Sequence, residues 1–260
     1  MIIVADRAIP FLHHYFAPLG EIRALDGRAI APADVRDADV LLVRTVTRVD
    51  EALLTGSRVR FVGSPTSGTD HLDSAWLDRV GIAWAAAPGC NARSVAEYVL
   101  SALLVCTEMA GRELAGLRAG IIGCGHTGSA VAALLGGAGV TCVLCDPPLA
   151  ETTGSTRYRP LAEALAADVV TLHVPLTRAG PHATANMVDD EFLAALGAEA
   201  ILVNAARGEV VDDAALVRAL RARPALRAVI DVWRNEPDID AALLAEVDIA
   251  TPHIAGYSTD

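Results

Sequence analysis

Short apolar runs alternate along this chain with stretches in which apolar residues return every three to four positions. Before residue 90 the runs are Ile2-Ile-Val-Ala5, Ala38-Asp-Val-Leu-Leu-Val43, Val59-Arg-Phe-Val62 and Ile82-Ala-Trp-Ala85. They predict four strands with helical stretches between them. Six further strands are predicted at Ala119-Gly-Ile-Ile122, Thr141-Cys-Val-Leu-Cys145, Val169-Val-Thr-Leu172, Ala200-Ile-Leu-Val203, Ala228-Val-Ile230 and Val247-Asp-Ile249. A right-handed, doubly wound parallel sheet is the economical arrangement of such a βαβ series. Asn91 to Ala110 reads as one long helix, with Val95, Val99, Leu103 and Cys106 on one face and Asn91 as its N-cap. This helix is expected to link two α/β domains, and no solenoid repeat or low-complexity tail is present in the sequence.

Composition narrows the partners. The chain has 260 residues, 53% of them hydrophobic, which suffices for one sizeable core or two modest ones. A formal charge of −11 repels phosphate polymers and anionic lipid heads, and no basic patch offsets it. Small ligands are expected, with neither nucleic acid nor membrane as partner. Ala119 to Cys145 lacks any Lys, Arg, Asp or Glu and is long enough to imitate a membrane span. Its seven glycines divide it instead into strand, turn, helix, turn and strand. The chain opens on an apolar strand without a signal-peptide pattern, and its five cysteines are irregularly spaced, so a cytoplasmic location is expected. Cys142 and Cys145 lie three apart in a predicted strand and so point to opposite faces, which favours burial over a metal or redox pair.

The most specific motif is Gly123-Cys-Gly-His-Thr-Gly128, which follows a predicted strand and opens a helix. In that context Gly123 permits a tight turn, Gly125 lets a pyrophosphate approach the backbone, and Gly128 lets helix and strand pack closely. His126 and Thr127 complete the loop as candidate cofactor contacts. Asp146 ends the second strand eighteen residues after Gly128, where an acid can accept hydrogen bonds from an adenosine ribose. A carboxylate there repels a 2′-phosphate and no arginine replaces it, so NAD is favoured over NADP.

Three later segments each follow an apolar run: Arg207 in Val203-Asn-Ala-Ala-Arg-Gly208, Glu236 in Asp231-Val-Trp-Arg-Asn-Glu-Pro237, and His253 in Thr251-Pro-His-Ile-Ala-Gly-Tyr257. A guanidinium, a carboxylate and an imidazole at successive strand ends can anchor an acid, tune a base and move a proton. Singly, Arg207 could pair with a surface acid, Glu236 could cap a helix and His253 could satisfy a core carbonyl. Jointly, behind a dinucleotide loop, they form a catalytic set for a hydroxy acid. Gly123, Asp146, Val174, Arg207, Asp231 and His253 all fall at carboxyl ends of predicted strands, the edge where open α/β sheets bind ligands.

With these motifs the chain resembles the D-isomer-specific 2-hydroxyacid dehydrogenases along essentially its whole length. Further segments narrow the resemblance to relatives acting on a phosphorylated acid: Val43-Arg-Thr-Val-Thr47, Thr66-Ser-Gly-Thr-Asp-His-Leu-Asp73, Ala86-Ala-Pro-Gly-Cys-Asn-Ala92 and Cys145-Asp-Pro-Pro148. The resemblance implies a Rossmann NAD domain at 93–260, including the linking helix, and a smaller flavodoxin-like α/β substrate domain at 1–92. It implies NAD-dependent oxidation of 4-phospho-D-erythronate, with 3-phosphoglycerate or an unphosphorylated acid as alternative substrates. Arg207 would bind the substrate carboxylate and polarise the C2 oxygen, His253 would take the C2 hydroxyl proton, and Glu236 would orient the imidazole and stabilise its protonated form. Asp231, Gly256 and the backbone of Val174, Ala205, Ala206 and Arg207 would contact NAD, and Thr45, Thr66 and Tyr257 would contact substrate. Arg44, beside Thr45, is the nearest cation for a substrate phosphate. His71 and His126 occupy no position that the family uses for proton transfer, and His13-His14 reads as solvated helix surface.

The sequence stops soon after the histidine motif, so the helix that usually returns to the first domain and the C-terminal dimerisation domain of the nearer relatives are expected to be missing. The family's homodimer is therefore in question for this chain. A reading of another class is an NAD-responsive binding module that kept the fold and lost effective catalysis.

Overall fold

A computed structural model of the chain describes residues 1–257, which form two compact units, Met1–Cys90 and 91–257. The first is built on β1 (Ile2–Asp6), β2 (Glu21–Leu25), β3 (Val40–Leu42), β4 (Phe61–Ser64) and β5 (Ala83–Ala86). These strands are all parallel, in the order β2-β1-β3-β4-β5. This is the flavodoxin-like winding, whose reversal point lies between β1 and β3. The four predicted strands are present with ends shifted by up to two residues, and a fifth, β2, was not predicted. Its sequence, Glu-Ile-Arg-Ala-Leu, carries two charges and has no fully buried residue. It is an edge strand that exists because β1 supplies a partner.

The second unit contains β6 (Arg118–Ile122), β7 (Thr141–Cys145), β8 (Val169–Leu172), β9 (Ile201–Asn204), β10 (Arg227–Ile230) and β11 (Ile249–Ala250). All six predicted strands are found, again parallel, in the order β11-β10-β9-β8-β6-β7. The reversal point lies between β6 and β8. After β7 the chain returns through two short helices, Pro147–Thr153 and Leu161–Leu165, rather than adding a strand outside β7. There the Arg159 N–H donates to the Leu144 carbonyl at 2.7 Å.

Residue alternation distributes this sheet between two cores. Ile122, Cys145, Val170, Leu172, Leu202 and Ile230 pack on one face, whereas Ala119, Ile121, Val169, Ile201, Val203 and Val229 pack on the other. Cys142 joins the second face and Cys145 the first, as their spacing in a strand requires. β8 and β9 are buried along their whole length, because helices cover both sides.

The long helix runs from Ala92 to Met109 and buries Val95, Val99, Leu103 and Cys106 as the periodicity required. Asn91 precedes it but makes no capping hydrogen bond. Its side chain lies instead against Gly256, where an added Cβ would come within 2.5 Å of Asn91 Nδ2. Many of the acids that make the chain negative have a structural use: Asp50, Asp73, Asp146, Asp189, Asp212 and Asp240 each accept a backbone N–H at a helix start. The apolar segment 119–145 is strand, helix and strand, and among the described residues no helix is long and apolar enough to cross a membrane.

Candidate active site

Because β6 to β11 are parallel, the loops after them leave one edge of the sheet. Gly123, directly after β6, has φ of 87°, a conformation that glycine adopts without strain. Its Cα lies so close to the β8 loop that a Cβ would stand 2.6 Å from the His173 carbonyl oxygen. Gly128 abuts the loop from the other side, and a Cβ there would overlap the Gly123 carbonyl oxygen. A Cβ on Gly125, by contrast, meets nothing within 4 Å. The helix His126–Gly137 starts at this point with no side-chain cap, Thr127 half-buried and His126 exposed.

Asp146 fastens the loop. One carboxylate oxygen accepts the Cys124 N–H at 2.7 Å and the other accepts Leu149 N–H at 3.0 Å. A carboxylate has about four lone-pair positions, so two hydrogen bonds leave capacity for ligand hydroxyls.

After β9, the fully buried Asn204 shapes the turn that carries Ala205, Ala206 and Arg207. Its Oδ1 accepts from Ala206 N–H at 3.1 Å and its Nδ2 donates to the Arg207 carbonyl at 2.9 Å. Arg207 Nη1 donates to the Ala206 carbonyl at 2.7 Å, which folds the guanidinium back over its own turn. Gly208 packs on the Trp233–Arg234 backbone so closely that any Cβ would overlap it. This contact joins the Arg207 turn to the loop after β10, which carries Glu236.

Glu236 and His253 meet directly, with His253 Nδ1 3.0 Å from Glu236 Oε2. The other carboxylate oxygen of Glu236 accepts the Trp233 N–H at 2.9 Å. Both side chains are mostly shielded, 19% and 31% exposed, which strengthens their interaction over that of a surface pair. Asp231, 1% exposed, is used within the unit: it accepts from Thr251 Oγ1 at 2.6 Å, Ile254 N–H at 2.8 Å and Ala255 N–H at 2.9 Å. The structure therefore brings Glu236 and His253 into contact and places Arg207 on the adjoining loop. Val174 lies in the loop after β8, against Gly123, and Gly256 and the exposed Tyr257 lie just beyond the His253 loop.

The first unit presents its own edge. Arg44 and Thr45 follow β3, and Thr66 follows β4. Arg44 Nε donates to the buried Asp6, the last residue of β1, at 2.9 Å. The pair therefore marks the reversal point of this sheet, where such sheets bind ligands. Thr66 Oγ1 lies 2.7 Å from Ser64 Oγ, which in turn lies 3.0 Å from His71 Nε2. His71 is thus buried support behind Thr66, and His13 and His14 are exposed helix surface.

Residues 101–255 match the model of the D-isomer specific 2-hydroxyacid dehydrogenase NAD binding domain. The chain belongs to this family. Among its relatives are erythronate-4-phosphate dehydrogenases from Marinobacter nauticus, 53% identical, and Serratia proteamaculans, 48% identical. Each match covers 100% of this chain and, respectively, 68% and 70% of the relative. D-lactate dehydrogenase from Aquifex aeolicus, solved with NAD and lactic acid, superposes with a TM-score of 0.80 at 25% identity, over 100% of this chain and 90% of that one.

The family's cofactor, NAD, fits what the second unit offers: open space beside Gly125, an uncapped helix start and an acid at the end of β7. Several residues of the site escaped sequence reasoning. Asn204 and Thr251 look like ordinary strand ends, Tyr98 like one more core position of a long helix, and Asp6 like a surface acid. The loop after β8 also holds His173, whose Nε2 lies 2.9 Å from Thr171 Oγ1 and whose Nδ1 is buried without a hydrogen-bond partner. Burial pushes this imidazole down to about 3, so it is neutral at physiological pH. The available signal was positional, since each of these except Tyr98 stands at or just beyond the carboxyl end of a strand.

Proposed function

We propose that this protein catalyses NAD-dependent oxidation of 4-phospho-D-erythronate to 2-oxo-3-hydroxy-4-phosphobutanoate, a step in pyridoxal 5′-phosphate biosynthesis. The observation that carries this reading is the 3.0 Å contact between Glu236 and His253 at the same sheet edge as the glycine loop. The relatives that are 48–53% identical over the whole chain support the choice of substrate. Cofactor binding is assigned to Gly123, Gly125, His126, Thr127, Gly128, Asp146, Asp231, Gly256 and the backbone of Val174, Ala205, Ala206 and Arg207. NAD supplies the acceptor for the hydride on C2.

The chain's own residues manage the charge and the proton. Arg207 binds the substrate carboxylate and polarises the C2 oxygen, with its guanidinium steadied by the Ala206 carbonyl. With Nδ1 of His253 donating to Glu236, the imidazole presents its lone pair on Nε2. That nitrogen takes the C2 hydroxyl proton as the C2–O bond becomes a carbonyl. Glu236 keeps the ring in this tautomer and stabilises the imidazolium that results. Arg44, held by Asp6, is assigned to the substrate phosphate, and the hydroxyls of Thr45, Thr66 and Tyr257 are assigned to substrate recognition. A cytoplasmic location belongs to the same proposal, supported by Cys106, Cys124 and Cys145, which are buried as thiols.

The test is NADH formation with a panel of phosphorylated and unphosphorylated D-hydroxy acids. Preferential turnover of 4-phospho-D-erythronate is expected. Preference for 3-phosphoglycerate would replace the substrate assignment. Folded, NAD-binding protein that converts none of the acids would reject the catalytic reading.

A further inference from the structure

The loop that delivers His253 is held in an unfavourable shape. His253 has φ of 57°, in the left-handed region that residues with a side chain seldom occupy. Such a conformation persists only where the surroundings over-determine it. Asp231 provides most of that constraint, because its backbone carbonyl accepts the His253 N–H at 2.7 Å while its carboxylate accepts from Thr251, Ile254 and Ala255. One residue thus grips the loop on both sides of the histidine.

The grip extends to the long helix. Thr251 Oγ1 lies 2.6 Å from the hydroxyl of Tyr98 as well as 2.6 Å from Asp231 Oδ1. A threonine hydroxyl has one proton, and the ionised carboxylate can only accept. Thr251 therefore donates to Asp231, and Tyr98 must donate to Thr251. The direction of the chain is fixed, from phenol to hydroxyl to carboxylate, each link polarising the next. Thr251 is also anchored through its backbone: its carbonyl accepts from Trp233 Nε1 at 2.8 Å and its N–H donates to Ile230 at 3.0 Å.

We propose that Tyr98 and Thr251 are positioning residues for His253, acting through Asp231 to fix the left-handed loop that presents the imidazole. The proposal rests on the reading of His253 as the proton acceptor. Neither residue is hydrogen-bonded to the imidazole, so their effect is on the fraction of time the ring is correctly placed. Neither is among the residues assigned to hold acid or cofactor, so the loss falls mainly on the chemical step.

Thr251→Val keeps the shape and removes both hydroxyl bonds, and Thr251→Ser keeps both bonds. Thr251→Val is expected to lower kcat at least ~10-fold with KM and the NAD dissociation constant within about threefold of the parent. The deuterium isotope effect on kcat with 2-deuterated acid should rise, because chemistry becomes more rate-limiting. Thr251→Ser should stay within about threefold of the parent, and Tyr98→Phe should lose about three- to tenfold. Tyr98→Phe combined with Thr251→Val should be no worse than Thr251→Val alone, since one link already breaks the chain.

Equal impairment by Val and Ser would overturn the proposal, as would a lower melting temperature with unchanged kcat and isotope effect. If Thr251→Val does not fold, Tyr98→Phe carries the test, and an unchanged kcat and isotope effect in that variant overturns it. Amide hydrogen exchange at His253, Ile254 and Ala255 reads the loop without turnover, and should accelerate in Thr251→Val and Tyr98→Phe. Faster exchange in a protein whose parent oxidises no acid would support the positioning network and refute the proposed reaction. Unchanged exchange in both variants would refute the network itself.

Discussion

Two alanine substitutions three residues apart in one loop, Gly125→Ala and Gly128→Ala, should fail for opposite reasons. A Cβ on Gly128 overlaps the carbonyl oxygen of Gly123, a backbone atom that cannot rotate aside. Relieving the overlap moves the loop by roughly 1 Å or more, and overpacking of this kind costs about 1–3 kcal/mol. Gly128 lies in the first turn of a helix, so alanine recovers up to about 1 kcal/mol of helix propensity. Because the overlap is with backbone, the cost lies in the upper part of that range, about 2–3 kcal/mol, so the clash wins by roughly 1–2 kcal/mol, or a melting point lowered by about 2–8 °C for a unit of this size. Gly125 has φ of −67° and nothing within 4 Å of its would-be Cβ, so alanine there should leave the melting point unchanged to about 1 °C. The methyl group instead occupies space assigned to the pyrophosphate, and NAD should bind at least ~10-fold more weakly, about 1.4 kcal/mol. Thermal melts without NAD followed by calorimetric titration with NAD separate the two effects. If Gly125→Ala melted as low as Gly128→Ala, or bound NAD like the parent, the division of labour between these glycines would be wrong.

His253→Gln should retain NAD affinity within about twofold while kcat falls about 10²- to 10⁴-fold, and near-normal turnover would remove His253 from proton transfer. Arg44→Gln should raise KM for 4-phospho-D-erythronate ~10- to 100-fold, the worth of one charge-assisted contact, and leave unphosphorylated D-erythronate unaffected; equal losses on both acids would rule out a phosphate contact. His173 makes stability depend on pH. Its folded-state value, pushed down to about 3 by burial, lies below the ordinary histidine range, so between about 6.5 and 3 the unfolded chain binds a proton that the folded chain does not. Stability therefore rises with pH across that window and is lost as pH falls, by roughly 1.4 kcal/mol per unit from this residue. Denaturant titrations at pH 7 and pH 5 should show the parent losing about 2 kcal/mol more than His173→Gln, and identical losses would contradict the buried neutral imidazole.

The order of chemical groups along the chain was legible before any coordinates. Alternating runs placed ten of the eleven strands among the described residues, and the three glycines at 123, 125 and 128 announced a dinucleotide loop because strand, turn and helix starts each have local sequence preferences. Arg207, Glu236 and His253 could be singled out because each follows an apolar run, and parallel strands expose their carboxyl ends together. What fails locally is anything decided by a neighbour. β2 pairs because β1 lies beside it, although its own residues are charged and half exposed. Asn91 has the composition of a cap but lies against Gly256, more than 160 residues away. Asp231 and Asp146 read as cofactor acids, and only the folded chain shows that the same carboxylates hold the histidine loop and the glycine loop. The link from Tyr98 to Thr251 joins residues 153 positions apart, and no periodicity encodes it. Sequence by itself determined which groups are available and on which strand ends they stand, because backbone propensity and side-chain alternation are short-range. Tertiary structure alone decided which donor meets which acceptor, because a hydrogen bond is set within a few tenths of an ångström by packing from distant parts of the chain.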